Sequence, residues 1–388
     1  MTTDRIRTTH TGSLPRPEAL LTVLADKEAG KPIDKAATEA VLSRAVEECV
    51  DRQIAAGVDI VSDGEFSKPS YATYVKDRLS GFAGEGAFPM PADLAEYPEY
   101  AKRVFGLQAL SALKTPTCIG PVKYLGTQMV AQDVERFQRA LRGRTEGFLT
   151  AASPGVISVF LKNKYYPSHE AYLEALADAM RFEYRAIHAA GFVLQIDCPD
   201  LAMGAHIEYA GATLKELRRN LSLHVEALNH AVADIPPDRM RIHLCWGNYE
   251  GPHHRDIDLK DIVDIVLAAR PGGISFVAAN PRHEHEWKVW EEIHHVPEDK
   301  VLIPGVIDST TNFIEHPELV AERLLRFTRV VGQDRVIAST DCGFSTFAGL
   351  HIVDPAIVWA KLEALAEGAR IARRTLRQAP QPNIVERA

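Results

Sequence analysis

No uninterrupted apolar run of about 18 residues occurs in the chain, so no membrane-spanning helix is expected. The N-terminus, MTTDRIRTTHTGSLPRP, lacks the apolar stretch of a secretory leader, which points to a cytoplasmic protein. Positive charge is not in excess. The 44 Lys and Arg stand against 52 Asp and Glu, and the net charge of −8 argues against nucleic acid or an anionic membrane as partner. No G-x-G-x-x-G follows a strand pattern and no P-loop is present, which removes the Rossmann and P-loop nucleotide-binding readings. Internal repeats and low-complexity segments are also missing. Cysteine is scarce: Cys49, Cys118, Cys198, Cys245 and Cys342. Their odd number and wide spacing do not resemble a disulfide framework. In a reducing compartment such cysteines are buried thiols, nucleophiles or metal ligands.

What is present is a globular composition, with 46% hydrophobic and 25% charged residues over 388 positions. Short β-branched runs alternate with longer helical patterns, the signature of βα units on a parallel sheet. Eight strands are predicted near Thr8–Ser13, Asp59–Ser62, Gly147–Ala151, Val193–Asp197, Arg241–Cys245, Ile274–Ala278, Leu302–Ile307 and Val336–Thr340. Helices are expected over Ala36–Ala56, from a cap at Ser168 to Gly191, over Leu214–Asp234 and Leu259–Ala269, from Pro317, and over Pro355–Arg373. This is the pattern of a single (β/α)8 TIM barrel over residues 1–388. An insertion or arm spans about 66–125, with an extra strand near Thr117–Val122, and a loose tail runs over 378–388.

In such a barrel, functional side chains project from the C-terminal ends of strands. Those ends are polar here. His243 and Cys245 are two apart on a strand and therefore share a face. Cys342 follows the last strand, so a closed barrel can bring it to the same mouth. Zinc accepts such a set and keeps an open position for catalysis. The spacing also fits a His243 paired to a carboxylate with both cysteines in the core. Cys198 is a further strand-end thiol and reads as a buried one. Asp63, Glu65, Asp197, Asp200 and Asp308 surround the mouth, where they suit an ammonium group, acid–base work or loop hydrogen bonds. Gly12 and Ser13 can offer an N–H and a hydroxyl to an anion, with Arg16 or Lys68 supplying charge. The His and Glu of NPRHEHEW read as solvated loop charges.

Taken together, HTGSLPRP, DGEF, QIDCPDLAM, HLCWGN, ANPRHEHEW, IPGVIDSTTN and STDCGF resemble the catalytic barrel of the cobalamin-independent methionine synthase family, and its short single-barrel relatives most closely. The resemblance implies zinc at His243, Cys245 and Cys342, and a zinc-bound thiol that attacks a carbon electrophile. It implies that Ser13 holds the acceptor's carboxylate, and that Glu65 and Asp197 hold its ammonium group. Asp197 and Asp308 are the acid–base candidates. Three departures stand out. The N-terminal half of the long family members is absent. Thr310 occupies the place of a histidine in the Asp-x-His that follows PGV. Val277 stands where the family's zinc-binding Glu is expected, leaving a position that water, thiol or Glu284 can take.

The expected function is zinc-dependent methyl or alkyl transfer to a small, homocysteine-like thiol, as in methionine biosynthesis. The donor is unspecified, with a carrier protein and a homo-oligomer left open. Two rivals remain: thiol addition to an epoxide, as in epoxyalkane:coenzyme M transferase-like proteins, and a non-catalytic zinc- or ligand-binding paralogue.

Overall fold

The computed structural model describes residues 5–87, 90–105, 114–293 and 295–378. Ten strands are present among them: β1 (Arg7–Thr8), β2 (Ile60–Val61), β3 (Phe82–Ala87), β4 (Lys114–Cys118), β5 (Glu146–Ala152), β6 (Val193–Asp197), β7 (Met240–Leu244), β8 (Gly273–Phe276), β9 (Val301–Ile307) and β10 (Ile337–Thr340). Eight form one sheet in the order β1-β10-β9-β8-β7-β6-β5-β2, every ladder parallel. With helices alternating outside, this is the (β/α)8 barrel predicted from the alternating pattern.

The sheet has a seam. β1 and β2 share no ladder. They are joined by Asp59 N–H donating to Thr8 O (3.1 Å), by Thr8 N–H donating to Asp59 Oδ2 (3.0 Å), and by the Thr9 hydroxyl donating to Ile60 O (2.9 Å). The first strand is thus shorter than the expected Thr8–Ser13. Thr9 still pairs with Ala338, but Thr11 turns its hydroxyl onto Thr340 O and Gly12 adopts φ +142, so the chain leaves the ladder early.

The helices begin where their sequence caps them. Asp34 accepts from the N–H groups of Ala36 and Ala37 at the start of Lys35–Ala55. Ser168 caps His169–Ala189, and Thr213 with Glu216 forms a capping box on Leu214–Ala231. The predicted Leu259–Ala269 helix is instead a 3-10 turn, Leu259–Asp261, followed by Val263–Leu267. The last helix reaches Gln378 rather than Arg373. The expected tail beyond it lies outside the described residues.

Between β2 and β5 the chain forms an antiparallel pair, β3 with β4. The predicted extra strand is displaced to Lys114–Cys118, because Gly120 and Pro121 turn the chain there. Its partner Phe82–Ala87, sequence FAGEGA, has no β-branched residue to signal a strand.

Candidate active site

The barrel interior below the mouth holds a network of buried polar side chains. Arg241 lies over the Phe148 ring, 3.8 Å from its centre, and donates to Gln195 Oε1 (2.8 Å), Thr9 Oγ1 (3.0 Å) and His10 O (2.9 Å). Gln195 in turn donates to Thr11 O and to Asp197 Oδ1, the latter at 2.8 Å. Because residues two apart share a face, Gln195 holds Asp197 from below, and Arg241 lies beneath His243 in the same way.

Above this layer is a cleft of about 990 Å³, measured out to its open mouth. Ser13, Glu65, Asp197, His243, Cys245 and Cys342 all line it. Apolar walls come from Tyr71, Leu94, Phe160, Met203, Ile207, Phe347 and Leu350. A mostly apolar cleft with a few converging polar groups is the usual form of a small-molecule site.

At its base, one ligand atom each of His243, Cys245 and Cys342 lies within 4.8 Å of the others, and all three residues are buried. His243 Nδ1 is buried without a hydrogen-bond partner. The interaction between the two sulfurs pulls Cys245 well below its usual value and pushes Cys342 above its own. An imidazole and two sulfurs form a set that suits zinc, and three ligands leave a fourth position open. The disposition fits the ion.

One wall carries two buried carboxylates. Burial, then the charge of Glu65, pushes Asp197 up to about 7. Burial likewise raises Glu65, against the nearby charges of Lys68 and Arg16. Thr150 donates to Glu65 Oε1 at 3.1 Å, while Oε2 is buried with no hydrogen-bond partner. Glu65 sits at φ +60, an uncommon conformation for a residue with a side chain. A wall of this kind is incomplete without a cation. Ser13 is on the adjoining edge, packed so close to Gly343 that a Cβ there would lie 2.0 Å from the Ser13 hydroxyl.

Several of the sequence-predicted residues lie outside the cleft lining. Arg16 is buried behind the cleft, where its guanidinium donates to Ser345 O (2.7 Å), Ser345 Oγ (2.9 Å), Glu65 O (2.9 Å) and Lys68 O (3.0 Å). It ties together the loops after β1, β2 and β10 and does not line the cleft. Lys68 is similarly engaged with Thr150 O (2.5 Å) and Thr150 Oγ1 (3.1 Å). Asp308 borders a small neighbouring cavity with Val277, Asp341 and Cys342, and its Oδ1 accepts from both the N–H and the hydroxyl of Thr310, each at 2.9 Å. Glu284, a sequence candidate for the open position, is paired with Arg323 and Arg326. Asp63, by contrast, caps its own turn, accepting from Glu65 N–H at 2.9 Å. Asp200 accepts from Ser153 Oγ (2.7 Å) and pairs with His224 (2.9 Å), and the Cys198 thiol points to Ile196 O (3.4 Å). Sequence reasoning missed Gln195 and Arg241 as supports, although both lie two residues before a predicted site residue. It also missed Asp341, whose Oδ1 accepts from the N–H groups of Ala278 and Ala279 and so ties the end of β8 to the Cys342 loop.

Comparison with known proteins agrees with this geometry. A family model described as the catalytic domain of cobalamin-independent synthases matches residues 6–93. A methionine synthase of Saccharolobus solfataricus is 25% identical over 374 residues, 96% of each chain. One from Sulfurisphaera tokodaii is 25% identical over 373 residues, 95% of this chain and 93% of its own. Among solved structures, a B12-independent methionine synthase from a Shewanella species, in complex with selenomethionine, superposes with a TM-score of 0.72 at 21% identity, covering 96% of this chain and 99% of that one. A putative vitamin-B12-independent methionine synthase from Listeria monocytogenes superposes at 0.66 with 16% identity, covering 95% and 98%. The resemblance carried by the motifs thus extends along nearly the whole chain, and the barrel is theirs.

Proposed function

We propose that this relative of the cobalamin-independent methionine synthases is a zinc-dependent methyl- or alkyltransferase whose acceptor is a small thiol bearing an amine, homocysteine being the default. The observation that carries the reading is the convergence of His243, Cys245 and Cys342 within 4.8 Å at the base of a cleft whose wall holds Glu65 and Asp197. The relatives named methionine synthase support it.

His243, Cys245 and Cys342 would hold the ion. Bound there, zinc lowers the pKa of a substrate thiol so that a thiolate is present at neutral pH. The remaining work falls to the chain. Glu65 and Asp197 hold the acceptor's ammonium group, with Gln195 fixing the Asp197 carboxylate from below. Ser13 faces its carboxylate. Phe160, Met203, Ile207 and Phe347 keep water from the sulfur, so that the electrophile rather than solvent meets it.

The coenzyme M-type alternative needs a cation for a sulfonate. Among the described residues lining the cleft there is no Lys or Arg; Arg16 and Lys68 are spent on carbonyls and hydroxyls, and Arg282 is exposed. This favours the amine-bearing acceptor. Titrating the zinc-loaded protein with homocysteine and with coenzyme M tests the choice. Homocysteine should bind more tightly by at least tenfold. Tighter coenzyme M binding would reverse the assignment, and failure of both would remove the enzyme reading in favour of a non-catalytic paralogue.

A further inference from the structure

A second group of ligating side chains lies outside the cleft. It comprises His206, His253, Asp256, His283 and Glu286, all buried. They come from three loops at the barrel mouth. His206 is in the short helix Gly204–Ile207 after β6, His253 and Asp256 follow β7, and His283 and Glu286 follow β8.

The geometry is convergent. Asp256 Oδ2 lies 2.8 Å from His253 Nδ1 and 2.8 Å from His283 Nε2. His206 Nδ1 lies 3.1 Å from Asp256 Oδ1. That contact has no hydrogen-bond geometry, so both nitrogens of His206 and Asp256 Oδ1 are buried without hydrogen-bond partners. Side-chain exposure is 2% for His206 and zero for Asp256, so bulk solvent does not reach them. One ligand atom each of His253, Asp256 and His283 falls within 4.8 Å of the others.

The far side of each ring is equally informative. His283 Nδ1 meets Glu286 Oε2 at 2.8 Å, and His253 Nε2 meets Tyr249 O at 3.1 Å. A carboxylate and a carbonyl only accept, so each outer nitrogen must carry its proton. This is the arrangement by which metal-binding histidines are oriented: the outer N–H is given to a carboxylate or a carbonyl and the inner nitrogen faces the ion. Glu286 is itself fixed by Leu259 N–H at 2.6 Å, and the Trp246 ring stacks on His283 with centroids 4.0 Å apart. His253 is held at φ +54, a conformation that costs energy and persists only where its surroundings impose it.

We infer that His206, His253, Asp256 and His283 form a second site for a divalent transition ion, zinc by its nitrogen-rich donor set, that pins the loops after β6, β7 and β8 together. Without an ion, both inner nitrogens must be protonated to face Asp256, giving two imidazolium groups in one buried cluster. One divalent ion replaces two protons with no change in total charge, and it gives His206 and Asp256 Oδ1 the partner they lack.

The test uses the full chain carrying Cys245→Ser and Cys342→Ser, which removes both thiolates of the cleft site. Stripped with a chelator and reloaded with zinc alone, it should bind about one equivalent and melt at a higher temperature than the stripped form. Loaded with cobalt, it should show a ligand-field spectrum without a thiolate charge-transfer band. Adding His206→Gln should weaken this equivalent at least tenfold, and Asp256→Asn should abolish it. No zinc uptake by the double serine protein, or uptake indifferent to His206 and Asp256, overturns the inference and leaves a buried ion-pair network. If the double serine protein does not fold, the wild type serves instead. It should take two cobalt equivalents, one with the thiolate band and one without, and His206→Gln should remove only the second. A single equivalent with the band would overturn the inference while leaving the cleft site intact.

Discussion

A Cβ on Gly12 would stand 2.4 Å from Oε1 of Glu65. The missing side chain at residue 12 is therefore what admits the glutamate to the cleft wall, and Glu65 holds its own backbone at φ +60 to be there. An acidic side chain set so closely, with Oε2 unpartnered, is expected to read a cation. Glu65→Gln should weaken homocysteine by roughly 2–5 kcal/mol in binding free energy, the scale for removing one member of a desolvated charge pair. Mercaptopropionate, a thiol without the amine, should lose far less. Isothermal titration of both thiols decides it, and equal losses would show that Glu65 does not contact the amine.

The thiolate pair gives a second prediction. Cys245→Ser and Cys342→Ser should each cost the protein the zinc of the cleft and abolish transfer. The measurement is metal content together with the thiolate charge-transfer band of the cobalt form. Retention of that band in both variants would place the thiolate-bound metal elsewhere.

Val277 borders the small cavity it shares with Cys342, Asp308 and Asp341. A neutral residue there would leave a zinc ion held by His243, Cys245 and Cys342 without the charge of a carboxylate as fourth ligand. A bound thiol should then ionise at lower pH and be a weaker nucleophile, suited to a reactive electrophile. Thr310 points the same way: its hydroxyl caps Asp308, where the resemblance implies a proton-donating histidine. Val277→Glu should tighten zinc and raise the pH at which bound thiol ionises, read by ultraviolet absorbance of the thiolate against pH. Weaker zinc with unchanged ionisation would mean that residue 277 does not face the ion.

His10 supplies a pH prediction. Its Nε2–H meets Gln53 Oε1 at 2.7 Å and its Nδ1 accepts from Gly12 N–H, so the ring is neutral and steadies the Gly12 turn. Burial lowers it from 6.5 to about 3. A folded-state value below the unfolded one means that the unfolded chain binds more protons in the acid range. The stability tied to the neutral ring is therefore full above pH 6.5 and is lost as pH falls toward 3. Between pH 7 and 5 the loss is about 2 kcal/mol. His10→Asn keeps an acceptor for Gly12 and removes the titration. Urea unfolding at the two pH values should show a slope shallower than wild type by about that amount. Equal slopes would mean that the His10 ring is not held neutral.

The barrel was legible from strand runs and helix caps, because alternation and capping are local. The triad was legible in part: His243 and Cys245 share a face by strand geometry alone, whereas Cys342 joins them only once the barrel closes. The position of Arg16 was not legible. A sequence shows that a guanidinium is present, not that backbone carbonyls of three loops will consume it. Asp308 shows the same limit: its Oδ1 accepts from the N–H and hydroxyl of Thr310, a contact the sequence does not display. The histidine cluster was invisible as a unit. In sequence it is two pairs, His253 with Asp256 and His283 with Glu286, and a distant His206, and the second pair reads as a solvated loop until β6, β7 and β8 bring the others beside it.

The seam between β1 and β2 has a mechanical consequence. The loops that leave these two strands carry Ser13 and Glu65, the groups assigned to the far end of the substrate, while the sulfur end rests on β7 and β10. Between the strands themselves, hydrogen bonds around Thr8, Thr9 and Asp59 stand in for a ladder, while Arg16, Ser62 and Leu14 link the loops above, so this joint is expected to open at least cost among the barrel strands. Amide exchange should run fastest along it among the barrel staves. An acceptor that bridges Glu65 and the sulfur-bearing base spans the joint like a clasp, so its arrival should slow that exchange more than exchange anywhere else in the wall.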